Sequence, residues 1–144
     1  MAPRHETVVE LVDEMSLLLR AARAMAQRTS ARVDMPAPLL GLLWTLYVHG
    51  ALRQNQLAEK LCISESALSR QIAVLAADGL IERARCEDDG RVSLVQISEA
   101  GRERMNTALE HRVDEYAPKF ADWSEEQTRE VLETIARLRQ AIAE

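Results

Sequence analysis

Apolar positions in the middle of the chain recur at the three- and four-residue spacing of amphipathic helices. The period breaks at Cys62, and Ser64 then stands where a hydroxyl can satisfy an orphan amide of a new helix. Gly79 suits the left-handed position that follows a helix. The pattern therefore predicts two short helices, 54–61 and 65–78, joined by a tight turn. Their predicted buried residues are Leu57, Ala58, Leu61, Leu68, Ile72 and Leu75.

The opposite face of the second helix carries polar or short side chains and one long arginine: Glu65, Ser66, Ser69, Arg70 and Ala73. A face of this kind can approach base edges closely in a major groove. The alternative is an ordinary solvated helix face, because hydroxyls and a single arginine are common on protein surfaces. The segment that follows this helix favours the first interpretation.

That segment contains two extended runs, residues 80–86 and 92–97, separated by an Asp-Gly turn signal. The runs predict a β-hairpin with Arg91 at its tip. An arginine at such a tip can enter a minor groove, where narrow A·T tracts concentrate negative potential. Asp89 can hold the loop or that arginine through a charge-assisted hydrogen bond. Helix, turn, helix and hairpin together predict a winged helix-turn-helix, which is a DNA-binding module.

Three stretches of this region read LAEKLCISESALSRQI from Leu57 to Ile72, LAADGLIER from Leu75 to Arg83, and DGR from Asp89 to Arg91. Together they resemble the MarR family of bacterial transcription regulators. The match is dense over residues 37–101, and the flanking helices extend it to the whole chain. The resemblance implies a mainly α fold with a small β-hairpin wing, in which a winged helix-turn-helix module (37–98) joins a helical dimerisation region (5–30 and 99–144).

The resemblance also implies which residues contact double-stranded DNA. The second helix would lie in the major groove and the wing tip in the minor groove, while the residues that open the first helix would meet phosphates. The expected DNA-binding residues are Arg53, Gln54, Asn55, Ser64, Ser66, Ser69, Arg70, Asp89 and Arg91.

The chain departs from the family pattern at two of its positions. Arg53 stands where a capping Ser or Thr is common, and Cys62 stands in the turn where Gly is common. A residue other than glycine at positive φ is strained by about 1 kcal/mol or more. We therefore expect the turn to differ locally from the family's.

Three amphipathic patterns flank the predicted module. They cover residues 6–28, the stretch from Ser98 to Pro118, and a last helix opened by a capping box of Ser124 and Gln127. Their apolar faces need a partner, and a second copy of the chain supplies one economically. The alternative is an intramolecular three-helix bundle.

A homodimer would place its two recognition helices on half-sites about one helical turn apart, so the expected operator is an inverted repeat. The resemblance further implies a repressor that a small-molecule effector releases from DNA. Trp44 and Tyr47 lie on an apolar helix and are expected in the core. The alternative is that these two residues, with His49 and Arg20, line an effector cleft.

Charge and composition narrow the function further. The chain carries 18 basic and 23 acidic residues, and the stretch 52–97 is close to neutral, so affinity for DNA must come from a few placed arginines. No apolar run approaches the roughly 18 residues of a membrane span, and the first residues lack a signal peptide's apolar stretch. A cytoplasmic protein with no membrane partner is expected.

Cys62 and Cys86 form no Cys-x-x-Cys pair, and the three histidines are scattered, so no metal site or cofactor is expected. Free, half-buried thiols are the simpler interpretation. A redox-sensing repressor is the alternative, in which oxidation would re-aim the turn or the wing. No phosphate-binding loop or nucleophile motif is present, so we do not expect an enzyme. The competitor from another class is a winged-helix adaptor that binds protein, and Arg70 with Arg91 argues against it.

Overall fold

The computed structural model describes residues 1–85 and 93–143. The predicted mainly α fold with a small sheet is confirmed. The chain forms two compact units, Met1–His111 and Arg112–Glu144, and the division falls within α5. In chain order the elements are α1 (His5–Val33), α2 (Ala37–His49), β1 (Leu52–Arg53), α3 (Gln54–Leu61), α4 (Glu65–Ala77), β2 (Ile81–Arg85), β3 (Ser93–Ile97), α5 (Glu99–Tyr116), a 3-10 helix (Ala117–Phe120) and α6 (Glu125–Ala143).

The helix-turn-helix forms where the sequence predicts it. Cys62 ends α3 with φ 53° and ψ 42°. The turn therefore has a left-handed residue at the position where glycine is common, although that residue is a cysteine. Its amide donates to the carbonyl oxygen of Glu59, and the amide of Ile63 donates to that of Ala58, each at 3.1 Å. These bonds satisfy two carbonyls that the helix end leaves without intrahelical partners.

The sheet has three antiparallel strands in the order β1-β3-β2. Strands β2 and β3 lie inside the two predicted extended runs and pair from Ile81 with Ile97 to Arg85 with Ser93. Strand β1 was not predicted, because a two-residue strand is too short to show alternation; it pairs Leu52 with Val95. The sheet thereby connects the start of α3 to the wing.

The core of the first unit lies where α2, α3, α4 and β3 meet. Every predicted apolar position of α4, namely Leu68, Ile72 and Leu75, is buried. Each such side chain contributes about 1.5–3 kcal/mol through its removal from water. The largest fully buried side chains also include Leu42, Leu43, Leu46, Leu57, Val95 and Met105.

The first helix is longer than the predicted pattern over residues 6–28. Helix α1 continues to Val33 and ends at Asp34, which is left-handed with φ 51°. The guanidinium of Arg104 in α5 donates to the carbonyl oxygen of Val33 at 3.1 Å. A cation is favourable at this end because the helix dipole places negative partial charge there.

The prediction that Trp44 lies in the core is wrong, since the side chain is 40% exposed. Tyr47 is half-buried and packs against the core, as predicted. Helix α2 is apolar along most of its length and has no polar stripe, so its sequence does not show which residues face solvent.

The second unit begins within α5 and contains the 3-10 helix and α6. The predicted capping box is confirmed: the amide of Ser124 donates to Oε1 of Gln127 at 2.9 Å, and the amide of Gln127 donates to Ser124 Oγ at 3.1 Å. Among the described residues, no helix combines the length and the apolar character that crossing a membrane requires.

Candidate nucleic-acid interface

The outer face of α4 is the first part of the candidate interface. Its buried leucines and Ile72 fix the helix against the core, so Ser66, Ser69 and Arg70 project from the opposite side and are exposed. Glu65 and Ala73 are exposed on the same face. The predicted division of this helix into a buried and an exposed side is therefore confirmed.

The start of α4 is held by hydroxyl groups. Ser64 Oγ accepts a hydrogen bond from the amide of Ala67 at 3.2 Å, which confirms the predicted N-cap. The hydroxyls of Ser64 and Ser66 lie 3.2 Å apart. Because a cap satisfies one of the orphan amides of the first turn, it fixes where the helix begins and how it leaves the turn.

The start of α3 carries the three residues expected at phosphates. Arg53 precedes the helix in an extended conformation, and its amide donates to Oε1 of Gln56 at 3.1 Å. Oδ1 of Asn55 accepts from the amide of Gln56 at 2.9 Å. Side chains of the first turn thus accept amide hydrogen bonds in place of a Ser or Thr cap. The side chain of Arg53 is exposed.

Gln54 links the two helices and the sheet. Its Nε2 donates to Ser69 Oγ in the middle of α4 at 2.7 Å, and its Oε1 accepts from a guanidinium nitrogen of Arg83 in β2 at 3.4 Å. The structure therefore brings Gln54 and Ser69 together. The sequence pattern did not indicate Arg83 as part of the site.

The two-residue alternation of the predicted strand could have indicated Arg83. Residues two apart on a strand face the same side, and the exposed Arg83 and Arg85 share one side of β2 on the way to the wing tip. On the other side, Nε2 of Gln96 donates to Oε1 of Glu82 at 2.8 Å. The predicted wing residues Asp89 and Arg91, like Cys86, lie outside the described residues.

The remaining candidates have ordinary surroundings. Cys62, in the turn before α4, is a free thiol but is exposed, so the expectation that it is half-buried is wrong. His49 is exposed at the end of α2, and Arg20 is exposed on α1. Over residues 1–85 and 93–143, no group of three or more His, Cys, Asp or Glu side chains is placed to hold a metal ion.

An aromatic cluster connects α2 to α5. The rings of Trp44 and Tyr47 stack with centroids 5.8 Å apart, and the guanidinium of Arg102 lies 5.3 Å from the centroid of Tyr47. The Tyr47 hydroxyl donates to Oδ1 of Asn106 at 2.8 Å. This cluster anchors α5 to the winged helix-turn-helix through polar contacts around one half-buried ring.

Comparison with known proteins gives the family model "MarR family" over residues 36–93, the part of the chain that contains α3, α4 and most of the sheet. The Bacillus subtilis HTH-type transcriptional regulator YxaD is 30% identical over 139 residues, which span 96% of this chain and 97% of that protein. The Mycobacterium tuberculosis HTH-type transcriptional regulator MT0903.1 is 31% identical over 136 residues and 93% of each chain.

The fold has close counterparts among solved structures. A MarR family protein from Bacillus stearothermophilus superimposes with a TM-score of 0.86 over 99% of this chain and all of its own length, at 20% identity. At that level of identity the likeness establishes the fold. Both sequence relatives are named as HTH-type transcriptional regulators.

Proposed function

Since this chain belongs to the MarR family of DNA-binding transcriptional regulators, we propose that it is a cytoplasmic homodimeric repressor of an inverted-repeat operator, released by a small-molecule effector. Residues 37–98 would bind DNA, and residues 5–30 and 99–144 would form the dimer. The main support for this proposal is the exposed polar face of α4, a helix that begins at the Ser64 cap and buries its apolar side.

The DNA contacts of the proposal fall on this face and on its neighbours. Ser66, Ser69 and Arg70 would contact base edges, and Arg53 and Asn55 would meet phosphates. Short hydroxyl side chains let the helix backbone approach the groove floor, while arginine reaches guanine N7 and O6. Arg91, supported by Asp89, would enter the minor groove.

Exposed apolar side chains support the homodimer. In α1, Val8, Leu11 and Leu18 are 40–51% exposed, although they fall on one face of an amphipathic helix. In α6, Val131, Ile135 and Ile142 are 39–60% exposed. A patch of this kind marks an interaction surface, and a second copy of the chain is the proposed partner of each.

The regulatory part of the proposal follows from the same geometry. Two recognition helices of a dimer bind half-sites only when their separation matches the DNA repeat. An effector that favours a different separation therefore lowers operator affinity by its differential affinity for the two states. Repression, rather than activation, rests on the family resemblance.

The test uses a labelled duplex recovered by selection from random DNA. Arg70→Ala should weaken its binding, measured by fluorescence anisotropy, by about 1–3 kcal/mol if Arg70 reads a base. Arg91→Ala should lose an A·T preference next to each half-site if Arg91 enters the groove, or reduce the salt slope by about one if it meets a phosphate. Lys60→Ala, at an exposed basic residue of α3 outside the proposed contacts, is the control and should bind as wild type. Equal affinity of all four proteins would contradict the proposed interface.

A further inference from the structure

The bridge from Arg83 through Gln54 to Ser69 has a fixed direction. Arginine has only donors, so the amide oxygen of Gln54 must face Arg83 and its NH2 group must face Ser69. An inverted amide would set NH2 against the guanidinium. The network alone thus decides which end of the amide meets the serine.

This direction decides what Ser69 can offer to a third partner. A serine hydroxyl has one hydrogen and two lone pairs, and here a lone pair is occupied by the 2.7 Å bond from Gln54. The hydroxyl hydrogen remains for a partner in front of the exposed face of α4. Ser69 is therefore oriented as a donor, although a free serine would donate or accept equally well.

We infer that Gln54 is a specificity-determining residue that acts through Ser69: by holding the hydroxyl as a donor, it makes α4 select a base with a major-groove acceptor. The inference rests on the proposed function. Guanine offers N7 and O6 and thymine offers O4, whereas cytosine presents its N4 donor there. Each half-site then contains one position where guanine or thymine is bound in preference to cytosine because of Ser69.

The bridge also connects three elements of the fold. Gln54 opens α3, Ser69 lies in the middle of α4, and Arg83 lies in β2. Because the polarity of the bridge begins at the Arg83 guanidinium, the strand leading to the wing determines how the recognition helix presents one of its hydroxyls. Gln54 is thus a positioning residue, not one that reads a base itself.

Replacing Gln54 by glutamate provides the sharpest test. A carboxylate still accepts from Arg83, but it also accepts from Ser69, so the serine hydroxyl turns inward and its oxygen faces the DNA as an acceptor. Gln54→Glu should therefore reverse the base preference at the Ser69 position toward cytosine. A carboxylate at the first position of α3 is favourable for the helix, so the variant should fold.

The measurement is the affinity of each protein for the selected operator and for all its single base-pair substitutions, by fluorescence anisotropy. For wild type, cytosine at the Ser69 position should weaken binding about three- to tenfold, as expected for one hydrogen bond. Ser69→Ala should abolish the preference at that position and leave the others. Gln54→Glu should invert it, with an overall loss of affinity from its charge.

Gln56→Glu is the matched control. It adds the same charge two residues away, and its carboxylate can still accept from the amide of Arg53, as Gln56 does. It should lower affinity across all duplexes without changing any base preference. If Gln54→Glu behaves in the same way, the inference is overturned while the proposed function stands. If Ser69→Ala alters no base preference, the inference is likewise overturned. If wild type recovers no operator, the proposed function fails and the inference with it.

Discussion

Gly101 of α5 lies so close to the backbone of Leu80 that a Cβ on the glycine would be 2.1 Å from the Leu80 carbonyl oxygen and 2.8 Å from Cγ1 of Ile97. Next to this contact, Ser98 Oγ accepts from the Gly101 amide at 3.0 Å and donates to the Gly79 carbonyl oxygen. The amide of Ser98 donates to the Leu80 carbonyl oxygen at 3.0 Å. The Ser98 hydroxyl and backbone groups thereby join the start of α5 to the end of the recognition helix.

Adding one methyl group at this contact should destabilise the protein. Gly101→Ala forces a backbone carbonyl to move, and overpacking of this kind costs about 1–3 kcal/mol. Urea unfolding measures the loss. Gly41→Ala is the control, because Gly41 lies inside α2 with nothing within 4 Å of the added atom, and it should stabilise by about 0.5–1 kcal/mol. Destabilisation of similar size in both variants would contradict the close contact at Gly101.

The turn before the recognition helix is strained at Cys62, whose φ is 53°. Cys62→Gly should raise the free energy of unfolding by about 0.5–1 kcal/mol, because removal of the left-handed penalty exceeds the added flexibility of the unfolded chain. Cys62→Ser keeps the Cβ atom and should change stability by less than about 0.5 kcal/mol. A less stable glycine variant, found by the same urea titration, would mean that the thiol contributes more than the strain costs.

Charge placed on the exposed apolar face of α1 should separate the proposed dimer. Leu11 and Leu18 are 49% and 51% exposed and lie two helical turns apart on that face. Sedimentation velocity should show that the Leu11→Glu, Leu18→Glu variant is a monomer. In the anisotropy assay this monomer should no longer bind the operator tightly. Val48→Glu, at an apolar residue that is 53% exposed in α2, should remain a dimer. A dimeric double variant would rule out α1 as the interface.

The sequence predicted the helix-turn-helix to within a residue or two because its boundaries are marked by local chemistry. Ser64 begins α4, and Ser124 with Gln127 begins α6, through hydrogen bonds inside one helical turn. Such signals lie within four residues of one another and need no tertiary information. The end of α1 was missed because part of its support comes from Arg104, 71 residues away.

The sequence predicted which side chains of α4 are exposed, and it did not predict which other side chains they contact. The hydroxyls and the arginine of α4 follow from helical periodicity. The bridge between Ser69 and Arg83 through Gln54 depends on how α3, α4 and β2 pack, which no local pattern encodes. Trp44 shows the complementary failure, because apolarity predicts burial even where a helix face stays open to a partner or to solvent.

Selection of binding sites from a random double-stranded DNA pool, with this protein at physiological salt, tests whether it recognises DNA as a two-fold dimer. We expect enrichment of an inverted repeat whose half-site centres are about 10 base pairs apart, as a two-fold dimer of winged helix-turn-helix modules requires. Failure of folded protein to enrich any sequence, or enrichment of a single unrepeated site, would contradict it.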